Sequence, residues 1–270
     1  MQLIGMLDSP YVRRVAISLQ LLGVRFEHRS LSVFRTFAQF QQINPVVKAP
    51  SLVCDDGEVL MDSTLILEYA EALAAPRKSL MPADVRELQH ALGVIGLSLA
   101  ACEKNVQIIY ERNVRPAEKL HQPWVDRVTG QLLAAYAVLE TEVQRAPLAV
   151  TSGTITQAGV TAAVTWHFTQ MTLPEVVPAG DYPTLGEFSS QAESLPEFRC
   201  APYGSSTHRQ DAQGADETVR FRPGRHDHHA AEDQPLCVDQ SGNRRSAARN
   251  GALGNYVCQR RRRSEKEITG

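Results

Sequence analysis

Cysteine is scarce in this chain: five in 270 residues, at positions 54, 102, 200, 237 and 258. They are odd in number and form no Cys-x-x-Cys. That excludes a disulfide framework or a paired-thiolate zinc site as the organising element, and it suits a reducing cytoplasm. An excess of one charge is missing too. Lys and Arg number 28 against 30 Asp and Glu, a formal net charge of −2, so nothing at the level of the whole chain draws it to nucleic acid or to an anionic membrane. Long apolar runs are also absent. The longest charge-free apolar stretch in a helical pattern, residues 91–102, would cover ~18 Å as a helix, too short for a bilayer. Residues 1–10 lack a basic start and place Asp8 where an apolar run would continue, so no secretory signal is expected. No internal repeat is present.

What is present is a core-forming composition, 43% apolar, that changes pattern along the chain. Residues 1–75 alternate strand and helix signals. Gln2–Met6 is a short apolar run. Val12, Val15, Ala16, Leu19 and Leu22 recur at helical spacing before Gly23, a residue suited to a left-handed helix end. Val24–His28 reads as a strand and residues 34–43 as a helix. Ser51–Cys54 and Glu58–Met61 flank Asp55-Asp56-Gly57, a hairpin turn, and a helix over residues 64–73 closes the unit. The order is βαβαββα, and the last two strands are antiparallel because the turn joining them is so short.

Residues 76–85, with Pro76 and Pro82, read as a linker. Residues 86–209 then read as all-helical. Leu88, Leu92, Ile95, Leu99, Cys102, Val106 and Ile109 form one apolar stripe, and Trp124, Val128, Leu132, Ala135 and Leu139 a second, both expected in the core. A helix over residues 157–169 is apolar on most sides and is expected to run through the domain centre. Beyond residue 209 periodicity stops and large apolar residues thin out, so residues 210–270 read as a disordered tail. Its His226-Asp227-His228-His229 and Arg260–Arg263 are read as solvated rather than as metal or nucleic-acid sites. No metal is expected elsewhere.

Several segments carry candidate chemistry: Ser9-Pro10-Tyr11-Val12-Arg13-Arg14-Val15, Asn44-Pro45 through Lys48-Ala49-Pro50-Ser51-Leu52, and Met61-Asp62-Ser63-Thr64 through Glu68-Tyr69. The helical half adds Tyr110-Glu111-Arg112, Arg115-Pro116 and Gln122-Pro123-Trp124, and the chain then reaches Leu195-Pro196-Glu197-Phe198 and Ala201-Pro202-Tyr203. By themselves these have ordinary readings. Ser9 before Pro10 is a helix cap, Ser63 is another, Lys48 is a solvated lysine, and Tyr110 belongs to a core or an interface. Taken in order over residues 1–209, the segments resemble the cytosolic glutathione S-transferases, in a serine-type, bacterial-like form.

That resemblance implies a thioredoxin-like N-terminal domain, an all-helical C-terminal domain and a homodimer in the cytoplasm. It implies glutathione as co-substrate, with its thiolate conjugated to a small, apolar electrophile in a detoxifying reaction. Ser9 would hold the sulfur as thiolate, the nucleophilic form. Pro50 would be a cis-proline exposing the backbone of Ala49 to the cysteinyl unit, and Lys48 would meet a carboxylate. Ser63 and the helix end would hold the γ-glutamyl carboxylate, and Asp62 its ammonium. Tyr110 would line the second-substrate cleft. Serine where relatives of another type carry cysteine argues against thiol-reductase chemistry, and Cys54 does not sit at that position. A non-catalytic binding protein of the same fold and a glutathione-dependent isomerase or peroxidase remain as alternatives, although a Ser-Ser-Cys motif of the maleylacetoacetate isomerase type is absent.

One departure concerns the central helix. Such helices start with a Ser/Thr-x-x-Asp box, but here Thr156 is followed at the third place by Gly159, which removes the reciprocal bond at a cost on the order of 1 kcal/mol. An Ile155–Val160 staple is retained. Gly159→Asp is therefore expected to raise the melting temperature. The tail has no counterpart in the resemblance. Deleting residues 210–270 is expected to leave melting temperature and activity unchanged. Aggregation or lost turnover of the truncated chain would show instead that the segment contributes to the fold.

Overall fold

The computed structural model describes residues 1–208. The tail reading, with its histidine and arginine clusters, lies outside the described residues. Four strands form one small sheet: β1 (Gln2–Ile4), β2 (Glu27–Arg29), β3 (Ser51–Val53) and β4 (Val59–Met61), in the order β2-β1-β3-β4. β1 runs parallel to β2 and antiparallel to β3, with Leu3 opposite both His28 and Leu52, and the β3–β4 hairpin is antiparallel. Helices α1 (Pro10–Leu21), α2 (Phe37–Ile43) and α3 (Ser63–Ala74) complete a thioredoxin-like βαβαββα unit. A helical half follows: α4 (Val85–Asn113), α5 (Gln122–Arg145), α6 (Gln157–Thr172), α7 (Pro183–Glu193) and α8 (Pro196–Cys200).

The order of elements agrees with the sequence pattern, but boundaries shift where loops take over. The Val24 N–H bonds back to the Leu19 carbonyl and closes α1, so β2 begins at Glu27 rather than Val24. The Ser32 hydroxyl accepts from the Phe34 and Arg35 N–H groups, and this turn delays α2 to Phe37. At α3 the cap is Asp62, not Ser63: Asp62 sits at φ 74 and accepts the Thr64 N–H, leaving Ser63 as the first helical residue.

The larger correction is to α4. Its buried face is Ala91, Val94, Ile95, Ser98, Ala101, Cys102, Asn105, Ile108 and Glu111. Of the apolar stripe expected in the core, only Ile95 and Cys102 are buried, and Leu92 is 53% exposed. The reason is close helix packing. Small and polar residues let α4 lie against α6, where Asn105 Nδ2 donates to Thr169 Oγ1 (2.8 Å) and Cys102 Sγ meets Thr165 Oγ1 (3.2 Å). Tyr136 of α5 joins at the same Thr169 hydroxyl (2.6 Å). These bonds satisfy polar groups whose burial would otherwise cost stability. The larger apolar residues are left to face cavities. Trp124, expected at the head of the second stripe, is likewise 39% exposed. By length and composition α4 has a window apolar enough to cross a membrane, a test that core helices of soluble proteins also pass.

Helix α6 is buried on nearly every side from Gln157 to Thr169. Its first turn is secured differently from a capping box. The Thr156 hydroxyl accepts the Gly159 N–H at 3.4 Å, and the Gln157 N–H donates to the Leu80 carbonyl of the linker (2.9 Å). A Cβ on Gly159 would lie 2.9 Å from Ile155 Cγ1 and 3.4 Å from the Phe188 ring. Both neighbours are buried, so neither has free space to move into. The expected gain from Gly159→Asp is thereby reversed: glycine is there because the helix end is packed too tightly for a side chain. Gly159→Ala is expected to cost about 1–3 kcal/mol through overpacking and to lower the melting temperature by about 2–4 °C for each kcal/mol. A thermal melt showing Gly159→Ala at or above wild type would refute this reading.

Candidate functional site

The loop after β1 begins the site. Gly5 has φ +137, and a Cβ there would lie 2.6 Å from Val12 Cγ2 and 3.2 Å from Ala49 Cβ. Only glycine allows α1 and the loop before β3 to approach this closely. Ser9 then caps α1, its Oγ accepting the Val12 N–H at 3.4 Å. A hydroxyl that accepts the cap bond still has its own proton to donate.

The second loop, residues 44–50, is pinned from inside. Asn44 is buried, its Oδ1 accepting the Val46 N–H (2.9 Å) and its Nδ2 donating to Ser51 Oγ (2.8 Å), which in turn donates to the Lys48 carbonyl (2.8 Å). The Ala49–Pro50 peptide is cis. Ala49 precedes the ladder, which starts at Ser51, so its backbone N–H and carbonyl are outside the sheet pairing.

Two adjoining cavities result. A polar one of about 570 Å³ is lined by Lys48, Ala49, Pro50, Asp62, Ser63 and Thr64, with Tyr11 and α4 residues as far as Glu103. An apolar one of about 560 Å³ is lined by Ser9, Phe34, Val106, Ile109, Tyr110 and Phe168, among others, with Asp8 and Tyr203 at its polar side. Tyr11, Lys48 and Ala49 line both. The polar cavity therefore gathers five of the seven residues singled out by the sequence. Ser9 and Tyr110 face the apolar one. The Phe34 and Tyr110 rings meet edge to face at 5.7 Å, closing one wall between the loop after β2 and α4.

Electrostatics at the polar end are mixed. Lys48 Nζ lies 3.3 Å from Asp62 Oδ2, so the two sequence candidates pair with each other. Burial pushes the Asp62 carboxyl up, but the Thr64 N–H and Lys48 outweigh it and hold the carboxyl below its usual range. Burial, reinforced by Cys102 and Glu103, pushes the Tyr11 phenol well up, so it remains a neutral donor. Beneath Ser63 lies Arg14, a residue that the sequence reading quoted but gave no role. Its Nη1 donates to Ser63 Oγ at 3.0 Å. Tyr11, Asn44 and Tyr203 were also missed as site residues. Each stands inside or beside a recognised segment, but only the tertiary contacts reveal its part. Among the described residues no group of acidic, histidine and cysteine side chains is arranged to hold a metal.

Tyr203 lies in the segment that follows α8, which is anchored further on at His208. There the His208 N–H donates to His28 Nδ1 (2.9 Å), while His28 Nε2 donates to the Gly5 carbonyl (2.7 Å). This pattern needs a neutral His28, and burial does depress its basicity, opposed by the Gly5 carbonyl. A histidine whose folded pKa is depressed contributes stability that is present above its unfolded value, about 6.5, and is lost as pH falls below it. The melting-temperature advantage of wild type over His28→Ala is therefore expected to shrink as pH drops below about 6.5. A gap that stays constant down to pH 5 would show that the ring acts by packing alone.

Comparison with known proteins fits this geometry. A family described as glutathione S-transferase, N-terminal domain, matches residues 3–78. The uncharacterized GST-like protein YibF of Escherichia coli is 29% identical over 141 residues, spanning 52% of this chain and 68% of the relative. Glutathione S-transferase U4 of Arabidopsis thaliana is 28% identical over 141 residues, 48% of this chain and 61% of the relative, so the chain spans less than two thirds of that protein. A crystal structure of a glutathione transferase family member from Pseudomonas fluorescens Pf-5, with bound S-(propanoic acid)-glutathione, is 26% identical. It superposes with a TM-score of 0.61, covering 74% of this chain and 98% of that one.

Proposed function

From the premise that this chain is a glutathione S-transferase family member, we propose that it binds glutathione in the polar cavity and conjugates its sulfur to an electrophile in the apolar one. The observation that carries this reading is the junction of the two cavities. Tyr11, Lys48 and Ala49 line both, so a ligand stretched along the polar cavity brings its reactive end to the apolar one.

The steps follow from the groups present. The α3 N-terminus and the Ser63 hydroxyl receive the γ-glutamyl carboxylate, an anion at a positive helix end. Asp62, kept ionised by Thr64 and Lys48, receives the γ-glutamyl ammonium. The Ala49 backbone pairs with the cysteinyl unit as a short added strand. The Ser9 hydroxyl donates to the sulfur and favours thiolate over thiol. The thiolate then attacks an electrophilic carbon. A carbon–sulfur bond forms while a leaving group departs with its electron pair, or, in addition to an activated double bond, the electrons move onto the acceptor and a solvent proton completes the product. Val106, Ile109, Tyr110 and Phe168 give this step an apolar wall.

A second assignment of the sulfur ligand has its own support. Tyr11 lines both cavities and Ser9 only the apolar one, so the Tyr11 phenol is the rival donor. The exposed apolar residues Leu65, Leu73 and Leu92 on α3 and α4 favour a homodimer through these helices. Cys54 and Cys102, buried and outside any disulfide, suit a cytoplasmic setting.

Titration calorimetry with glutathione, paired with turnover of a chloronitroaromatic, tests the proposal. Ser63→Ala is expected to weaken glutathione binding about tenfold, the scale of one hydrogen bond to a charged group. Ser9→Ala is expected to lower kcat roughly a hundredfold, as for other lost donors to a developing anion, with binding retained. A hundredfold loss in Tyr11→Phe with Ser9→Ala unaffected would transfer the role to Tyr11. Binding without turnover on any electrophile would support the non-catalytic alternative, and no binding by folded wild type would overturn the glutathione reading.

A further inference from the structure

The apolar cavity holds one group that its character does not explain. Asp8 lines it, half-buried, directly before Ser9 in the chain. Among the residues lining this cavity Asp8 is the single acid and Lys48 the single base, and Lys48 is drawn to Asp62 at 3.3 Å. Asp8 takes part in none of the ion pairs among the described residues. Burial pushes its carboxyl up, while Arg35 and the N–H groups of Ser9 and of Asp8 itself favour the charged form. Arg35 does so from the exposed loop after β2, outside the cavity lining, with its guanidinium at the Met6 sulfur (3.7 Å). Tyr203, at the same polar side, has its phenol pushed up by burial and by Asp8, against the pull of Arg13, and so stays neutral. The cavity that would take the second substrate therefore presents negative charge to what enters it.

That charge works against the proposed chemistry in one respect. A carboxylate in the cavity that receives a thiolate disfavours the thiolate by like-charge repulsion. Between apolar walls the repulsion is stronger than in bulk water. The same field discriminates among electrophiles. A cation is attracted by the carboxylate and the thiolate together, and an anion is repelled by both. The rings of Phe34 and Tyr110, which meet edge to face on the cavity wall, suit a weakly hydrated organic cation. We propose that Asp8 is a specificity-determining residue, which selects electrophiles bearing a positive charge, such as a quaternary ammonium, and rejects those bearing a carboxylate. This choice of substrate class rests on the reading that the apolar cavity takes the electrophile, while the sign of the charge in the cavity stands independently of it.

Three electrophiles of one framework provide the test: 4-chloro-3,5-dinitrobenzoate, its methyl ester, and the analogue with a trimethylammonium group in place of the carboxylate. For each, kcat/KM in the presence of glutathione is divided by the uncatalysed rate constant, which removes intrinsic reactivity. Wild type is expected to rank cation over ester over anion, with about tenfold between successive members. Asp8→Asn keeps the shape and removes the charge, so it is expected to compress each step to within about twofold. In wild type, an anion used as well as the ester, or a cation used no better than it, would overturn the proposal. So would an undiminished range in folded Asp8→Asn. An equal loss on all three substrates would also overturn it, since it would show that Asp8 only positions the Ser9 loop. Should Asp8→Asn not fold, Asp8→Ser takes its place. If wild type turns over none of the three, the conjugation reading fails instead. Titration calorimetry with benzyltrimethylammonium and phenylacetate then decides on Asp8. Cation binding about tenfold tighter in wild type than in the variant supports the proposal. No binding of the cation, equal cation binding by the two proteins, or phenylacetate bound as tightly as the cation overturns it.

Discussion

The tie between Arg13 and Glu193 holds the rest of the arrangement in place. Arg13 projects from α1 into the helical half, where its guanidinium meets the Glu193 carboxylate in a bidentate pair at 2.6 and 2.5 Å and its Nε donates to the Ala201 carbonyl at 2.7 Å. The Arg13 side chain is fully buried, while the Glu193 carboxylate stays 23% exposed. Breaking such a pair from one side leaves an uncompensated charge, typically a loss of about 3–5 kcal/mol. The same helix carries Ser9 at its cap and Arg14 one residue on. By fixing α1 against α7 and the segment after α8, Arg13 sets where the Ser9 loop and Tyr203 stand around the apolar cavity.

The helical half serves two demands that conflict on α4. Close approach to α6 needs small side chains and tolerates polar ones that find partners, as Asn105, Thr169 and Tyr136 do. A cavity wall needs larger apolar groups with nothing packed directly on them. The sequence meets both by putting the large residues on the face next to the buried one. Leu99 lines the polar cavity, and Val106 and Ile109 line the apolar one. The same logic explains Gly159, where a packed helix start leaves no room for a cap side chain at the third position, and the linker carbonyl of Leu80 accepts the Gln157 N–H instead.

Much of the site was legible because its parts are local. Pro10 after Ser9, Pro50 before Ser51 and Asp62 before Ser63 each encode a backbone feature within a few residues, so capping and turn chemistry reveal them. Arg14 was not legible in that way. Its importance depends on contact with a helix start 49 residues away, and a buried arginine in a helix pattern reads like any surface one. Tyr110 was legible only as a candidate, because the periodicity that places it on α4 does not say which face meets a cavity.

The sequence by itself determined the order of strands and helices, the hairpin, the helix-capping serine and the division into a mixed unit followed by helices. These follow from periodicity and turn residues, which act over short stretches of chain. Tertiary structure decided which face of α4 is core, why residue 159 must be glycine, and which hydroxyls stand over Arg14. Those outcomes depend on distances between segments far apart in the chain, where close packing and the desolvation of charge, rather than local propensity, fix the result.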